Sequence, residues 1–341
     1  MIAFRADANS EIGSGHIMRC LSIAKALQKL EQDIVFITAD DNGKELIRRE
    51  HFPSISLNTQ WTNMEGELLE LEKAIIKYKI QVLIVDSYYV THNYMKRAKD
   101  LVKIVYLDDL NQFVYPTDIL INYNIYVYDI QYSSYYSENT TLLLGCDYVP
   151  LREEFSGRIR TINPSVNNIL ITTGGSDSYN MAGQLLSYIR KFSKFDSLNL
   201  HIIVGALNKN VENLNKLSKL YPNIILHRAI NNMADIMMEC DIAISAGGST
   251  LYELCACGLP TISYSFADNQ LWIVNKFNQE QIIYYSGDIR GDISACLGKV
   301  NDSLSTLMKD ALLRKELSLN MQNLTDGRGS YRIAEKVLKL L

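Results

Sequence analysis

The sequence predicts an α/β protein of two doubly wound, Rossmann-like domains that face each other across a cleft. Three observations predict it. The 341 residues are about twice the usual length of one domain. Short apolar runs alternate with amphipathic stretches through most of the chain, the βαβ rhythm of a parallel sheet. That rhythm breaks once, at a linker-like segment, and then restarts.

In the first half, an apolar run at 2–5 leads into helical periodicity over 15–30. A strand at 34–38, a short helix over 43–50, a helix near 64–79 and a strand at 82–85 follow. A helix over 91–102 and strands at 104–107 and 119–121 come next. The Tyr/Asn/Ser-rich stretch 122–137 has no helical period and reads as loop before a strand at 141–144. Residues 161–168, with Asn163-Pro164-Ser165 and Asn167-Asn168, have linker composition, so the expected domains are 1–160 and 161–341. The second half then gives strands at 169–173, 200–204, 224–226, 242–245 and 261–264, separated by helices over 180–192, 208–220, 233–239 and 250–256. Helices dominate from there to the end.

Composition removes several function classes. Hydrophobic residues at 47% and charged residues at 21% exclude a mainly disordered chain. A net charge of -4 with no dense Lys/Arg window argues against nucleic acid as partner. The opening Met-Ile-Ala-Phe-Arg-Ala-Asp is charged where a signal peptide would be apolar, and no segment approaches a membrane span in length. A cytoplasmic protein without stable membrane association is therefore expected. The six cysteines show no C-x-x-C pair and no His at zinc spacing, so they read as reduced packing residues, with no metal indicated. His51, His92, His201 and His227 lack companion groups nearby and read as structural or surface residues.

The first chemically informative segment runs from Arg5-Ala6-Asp7 through Gly13-Ser14-Gly15-His16 to Arg19, joining a strand to a long helix. In open α/β sheets ligands bind beyond the carboxyl ends of strands, and glycines there admit close backbone approach. His16 falls in the first helical turn, where the positive end of the dipole favours a neutral ring, the form a general base requires. Arg5, Asp7, Gly13 and Gly15 are placed to meet a substrate beside it.

A second strand-to-helix turn, Gly247-Gly248-Ser249-Thr250, offers backbone N–H groups, hydroxyls and a helix N-terminus to a phosphate or diphosphate. Glu253, one turn further, either meets the hydroxyls of an attached ribose or closes a capping box. Gly174-Gly175-Ser176 makes another glycine-rich loop after a strand. Asn269 and Gln270 offer amides to a sugar or uracil, in a turn where Asp268 otherwise serves as helix cap. Asp86-Ser87-Tyr88 and Asp108-Asp109-Leu110 put carboxylates at further strand ends, and either pair is placed to bind sugar hydroxyls or amides.

Taken together, the runs Arg5-Ala6-Asp7-Ala8, Ile12-Gly13-Ser14-Gly15-His16, Val85-Asp86-Ser87-Tyr88, Leu107-Asp108-Asp109-Leu110, Leu151-Arg152-Glu153-Glu154-Phe155, Thr173-Gly174-Gly175-Ser176-Asp177 and Ala246-Gly247-Gly248-Ser249-Thr250-Leu251-Tyr252-Glu253 resemble the PseG family. Its members are UDP-2,4-diacetamido-2,4,6-trideoxy-β-L-altropyranose hydrolases of pseudaminic acid biosynthesis. The resemblance extends in order from Arg5 to about Gln270, and its one departure is Glu153, where the family pattern favours Pro. It implies a GT-B arrangement related to MurG-type glycosyltransferases. UDP would be held by the C-terminal domain and the sugar would reach the N-terminal one, with Arg152 among the substrate-binding residues and His16 as base.

The reaction that fits is attack of water on the anomeric carbon with UDP leaving, which predicts inversion and C–O cleavage. A diphosphate leaves readily, so one base and a set of dipoles suffice where glycosidases use two carboxylates. No cofactor is expected. A glycosyltransferase in which His16 deprotonates an acceptor hydroxyl remains open, as do a UDP-sugar 2-epimerase and a non-catalytic two-lobed sugar-binding protein.

Overall fold

The computed structural model describes residues 1–9 and 11–341; Ser10, within the first loop motif, lies outside the described residues. The chain forms two compact units, residues 1–153 with 327–341, and residues 154–326.

The first unit holds strands β1 (Ile2–Ala6), β2 (Ile34–Thr38), β3 (Ser54–Ser56), β4 (Val82–Asp86), β5 (Lys103–Leu107), β6 (Ile119–Asn122) and β7 (Thr141–Leu144). They pair in parallel in the order β3-β2-β1-β4-β5-β6-β7. Helices α1 (Gly15–Lys29), α2 (Lys44–Arg49), α3 (Leu68–Tyr78), α4 (His92–Lys99) and the single turn α5 (Tyr132–Tyr135) connect them. Every residue of β1, β2 and β4 is buried. Strands covered on both faces read as unbroken apolar runs, which is why they are plain in the sequence.

The second unit repeats the plan. Strands β8 (Asn168–Thr172), β9 (Asn199–Ile203), β10 (Ile224–His227), β11 (Ile242–Ala246), β12 (Thr261–Ser265) and β13 (Tyr284–Asp288) lie parallel in the order β10-β9-β8-β11-β12-β13. Its helices are α6 (Met181–Ile189), α7 (Val211–Leu220), α8 (Met233–Glu239), α9 (Thr250–Ala256), α10 (Asp268–Gln279), α11 (Ile293–Lys309) and α12 (Ala311–Leu324). In each sheet the strand order reverses once, between β1 and β4 and between β8 and β11. Loops from the two strands at such a point leave toward opposite faces and open a crevice at the carboxyl edge.

The compact units differ from the expected 1–160 and 161–341 at both ends. The supposed linker is bound into the second unit: Arg160 donates to the carbonyls of Cys257 (2.7 Å), Cys240 (2.7 Å) and Met237 (2.5 Å). Arg314 donates to Asn163 O (2.6 Å) and Pro164 O (2.9 Å). The last helix, α13 (Gly329–Leu338), packs on α1 of the first unit. A Cβ at Gly329 would stand 2.2 Å from Val149 O, so only glycine lets α13 start against that backbone. Glu153, the departure from the family pattern, accepts from Tyr331 Oη (3.0 Å) and pairs with Lys29, which fastens α1 to α13.

Three elements escape the sequence reading. β3 is only three half-buried residues at a sheet edge, β13 is irregular and contains Gly287 at φ +113°, and α5 is a single turn in the tyrosine-rich stretch. β3 and α5 are too short to show a period, and β13, with a shifted register, does not keep one. The six cysteines are free and buried, and among the described residues no helix is long and apolar enough to cross a membrane.

His201 and His227, distant in sequence, stack on β9 and β10 with Nδ1 and Nε2 3.0 Å apart. Burial lowers the affinity of both rings for protons, and His227 lowers that of His201 further. The native state therefore takes up protons on them less readily than unfolded chains, which protonate them below about pH 6.5. We expect resistance to urea to fall as pH drops from 7.5 to 5.5, with no such change above pH 7.5. His201→Phe should flatten the slope, and an unaltered slope would refute the assignment.

Candidate active site

The crevice beside β1 and β4 collects most of the chemistry of the first unit. Ala6 of β1 is in register with Asp86 of β4, so the loop that leaves β1 passes the carboxylate that ends β4. Asn9 shapes this loop: its Oδ1 accepts from Glu11 N (2.8 Å) and Ile12 N (3.0 Å), and its carbonyl accepts from Gly13 N (2.9 Å). Gly13 takes φ +71° there, Gly15 opens α1, and His16 is buried in its first turn.

His16 Nδ1 lies 2.6 Å from Asp86 Oδ1. Burial opposes ionisation of Asp86, but the charge of Arg19 and then His16, with hydrogen bonds from both, outweighs it and holds the carboxyl at about 2. An ionised carboxylate only accepts, so Nδ1 carries the proton and the 3.1 Å approach of Arg19 Nη2 to it is a contact rather than a hydrogen bond. The lone pair is left on Nε2, which has no partner among the described residues. Tyr88 sets its ring edge-on to the imidazole at 4.6 Å. A shallow, open depression adjoins the histidine, lined by Asp7, Ile12, His16, Trp61 and the run Asp86 to Tyr89.

Arg19 is the centre of a second layer. It pairs with both oxygens of Asp86 and donates from Nη1 to Asp109 Oδ2 (2.7 Å) and Tyr123 Oη (2.6 Å). Tyr88 Oη donates to the same Asp109 oxygen at 3.4 Å, and burial followed by the Asp109 charge pushes its phenol up to about 12, so it stays protonated. The paired carboxylates at 108 and 109 thus divide. Asp109 joins this network, whereas Asp108 is buried, accepting from Leu110 N, Asn111 N and Tyr132 Oη to hold its own turn.

Three residues expected to touch substrate, Arg5, Asp7 and Asp86, are corrected by burial and by their protein partners. Arg5 is fully buried: Nε and Nη2 form a fork with Glu67 (2.7 and 2.6 Å) and Nη1 meets Asp7 Oδ2 at 2.5 Å, so its charge is paired internally and no part of the guanidinium is open to a ligand. Asp86, with both oxygens engaged, positions His16 rather than a sugar. Glu67, Asn9, Trp61 and Tyr123 are the groups the sequence reading did not place at the site. Glu67 ends the short turn ahead of α3, and nothing local marks its partner 62 residues away.

In the second unit, the loops after β8 and β11 flank the reversal of that sheet. Gly174 (φ +82°), Gly175 and Ser176 are exposed, with Ser176 Oγ 3.1 Å from Ser178 Oγ. Gly247 donates to Tyr264 O (2.7 Å), and a Cβ on it would lie 2.2 Å from Val274 Cγ1. A Cβ on Gly248 meets nothing within 4 Å. Ser249 precedes α9 without a side-chain cap, and Thr250 and Glu253 are half-buried on its first turn. Asn269 is exposed at the start of α10, while Gln270 turns its Oε1 back to Phe266 N (2.9 Å). The cap of α10 is Ala267; Asp268 already lies inside the helix and pairs with Arg290 at 2.8 Å. Arg152 is half-buried ahead of the turn at Glu153–Phe155 in the first unit.

Residues 168–281 match the glycosyltransferase family 28 C-terminal domain. The chain is 30% identical over 254 residues to the UDP-2,4-diacetamido-2,4,6-trideoxy-β-L-altropyranose hydrolase of Campylobacter jejuni, covering 74% of this chain and 86% of that one. It is 26% identical to the spore coat polysaccharide biosynthesis protein SpsG of Bacillus subtilis over 96% and 95% of the two chains. An uncharacterized protein of Methanocaldococcus jannaschii is 30% identical over 76% of this chain, which spans 54% of that relative's length. The crystal structure of Acinetobacter baumannii MurG superposes with a TM-score of 0.73 at 14% identity, covering 99% of both chains. That likeness, with the two Rossmann-like units, gives the GT-B fold.

Two structural outcomes are expected. Glu67→Ala should lower stability by about 3–5 kcal/mol in urea titrations, because it leaves Arg5 charged and buried. Gly247→Ala should cost about 1–3 kcal/mol through its clash while Gly248→Ala unfolds like the unaltered chain; equal losses would contradict the local geometry.

Proposed function

The chain belongs to the PseG family of UDP-2,4-diacetamido-2,4,6-trideoxy-β-L-altropyranose hydrolases, and from that premise we propose that it hydrolyses a UDP-linked 2,4-diacetamido-2,4,6-trideoxy sugar to the free sugar and UDP. The observation that carries the reading is the His16–Asp86 pair at 2.6 Å, with Nε2 unpartnered beside a depression. In the reading, Nε2 takes a proton from water as its oxygen bonds to the anomeric carbon. Asp86 steadies the imidazolium that forms. The anomeric C–O bond breaks, its electron pair goes to the β-phosphate oxygen, and the configuration inverts. UDP is assigned to the loops 174–176 and 247–250 with Glu253, where the start of α9 and backbone N–H groups other than that of Gly247, which is bonded to Tyr264 O, favour negative charge. The sugar is assigned to the first unit, with Gly13, Gly15, Tyr88 and Arg152 but without Asp7, whose two oxygens accept from Arg5 Nη1 and Ala39 N, and Asn269 and Gln270 are assigned to the same substrate.

The second reading, glycosyl transfer to an acceptor hydroxyl, draws on the family 28 domain match. The two separate when UDP release from the diacetamido UDP-sugar is followed without acceptor. We expect turnover by the unaltered chain, a fall in kcat of about 10³-fold in His16→Ala, and one of at least about 10²-fold in Asp86→Asn, with KM little changed. UDP release that requires an added acceptor would move the assignment to a transferase.

A further inference from the structure

The sugar side of the first unit has a wall that the proposed chemistry does not use. Trp61 lies on the turn between β3 and α3, half-buried, and lines the same depression as His16. Its indole meets the ring of Tyr89 edge-on at 5.0 Å and 86°. With Ile12 these rings supply the apolar part of the depression's lining, beside the polar Asp7, His16 and Asp86.

The turn that carries Trp61 is held at both flanks. Thr59 N donates to Ala39 O (2.9 Å) and Thr59 Oγ1 reaches Glu67 (3.4 Å); further along, Asn63 N bonds Gln60 O (2.9 Å) and Thr91 Oγ1 bonds Glu65 (2.5 Å). Glu67 is the buried partner of Arg5, so this turn is tied to β1, the strand that launches the His16 loop. A large aromatic side chain on a tethered turn loses little freedom when it packs on a ligand.

We propose that Trp61, backed by Tyr89, is a specificity-determining residue that selects sugars presenting methyl groups over sugars presenting hydroxyls. An aromatic face cannot hydrogen-bond a hydroxyl that loses its water on binding, whereas a methyl group gains by leaving water. A 2,4-diacetamido-2,4,6-trideoxy sugar carries three methyls, one at C6 and two on its acetamido groups; N-acetylglucosamine carries one and keeps hydroxyls at C4 and C6. The inference rests on the hydrolase reading for its substrate, but the selectivity of the wall can be read without turnover.

Two measurements test it. In UDP release, Trp61→Ala should lower kcat/KM for the diacetamido UDP-sugar about tenfold or more and shrink its advantage over UDP-N-acetylglucosamine, while Trp61→Phe keeps most of it. In a Trp272→Phe background Trp61 is the single tryptophan, since the chain contains two. There the free diacetamido sugar should change the fluorescence at lower concentration than free N-acetylglucosamine. Equal responses to the two sugars, or an unchanged kcat/KM ratio in Trp61→Ala, would overturn the proposal. Absence of UDP release from the unaltered chain, with the selective fluorescence response retained, would overturn the hydrolase reading and leave Trp61's selectivity standing.

Discussion

The carboxylate of Asp86 is the charge around which the first unit's site is arranged. It stands at the end of β4, fully enclosed, and accepts from His16 and from two nitrogens of Arg19. A buried carboxylate without such partners would protonate and lose its hold on the imidazole. With them it stays ionised and fixes the tautomer of His16. Arg19 extends the same order outward to Asp109, Tyr123 and Tyr88, so the orientation of one ring depends on residues from α1 and from the loops after β4, β5 and β6.

Beneath this layer, the Arg5–Glu67 fork and Asp7 join β1 to the segment ahead of α3. Asp7 also accepts Ala39 N at 2.7 Å, which ties β1 to the end of β2. Three strand ends and the Trp61 turn are thereby held around one depression. Buried ion pairs are weak contributors to stability compared with apolar packing of equal volume. Their use here is directional: charges of opposite sign specify which ends meet, where apolar contacts would tolerate sliding.

The alternation of apolar runs and helices made both sheets legible, and the glycine-rich turns were legible as such because they interrupt that alternation at strand ends. Recognition of the PseG motifs rested on the same loops. The misreadings share a cause. Arg5 and Asp86 were read as ligand contacts because charged residues at strand ends are usually exposed, and only their partners, 62 and 70 residues away, bury them. The segment 161–168 has a linker's composition because Asn and Pro are turn formers, while Arg314 and Asp241 bind it to the second unit. Trp61 belongs to no periodic element and gave no local signal.

What the sequence by itself determined is therefore the local and the repetitive: two parallel sheets, their strand-to-helix turns, and a histidine at the start of a helix. These follow from hydrophobic period and from glycine's backbone freedom, which act over a few residues. What only the tertiary structure decided is which charges are satisfied by one another and which face a ligand. Ion pairing in a buried site depends on strand order and register, and a one-residue shift of β4 against β1 would turn Asp86 to the other face of the sheet.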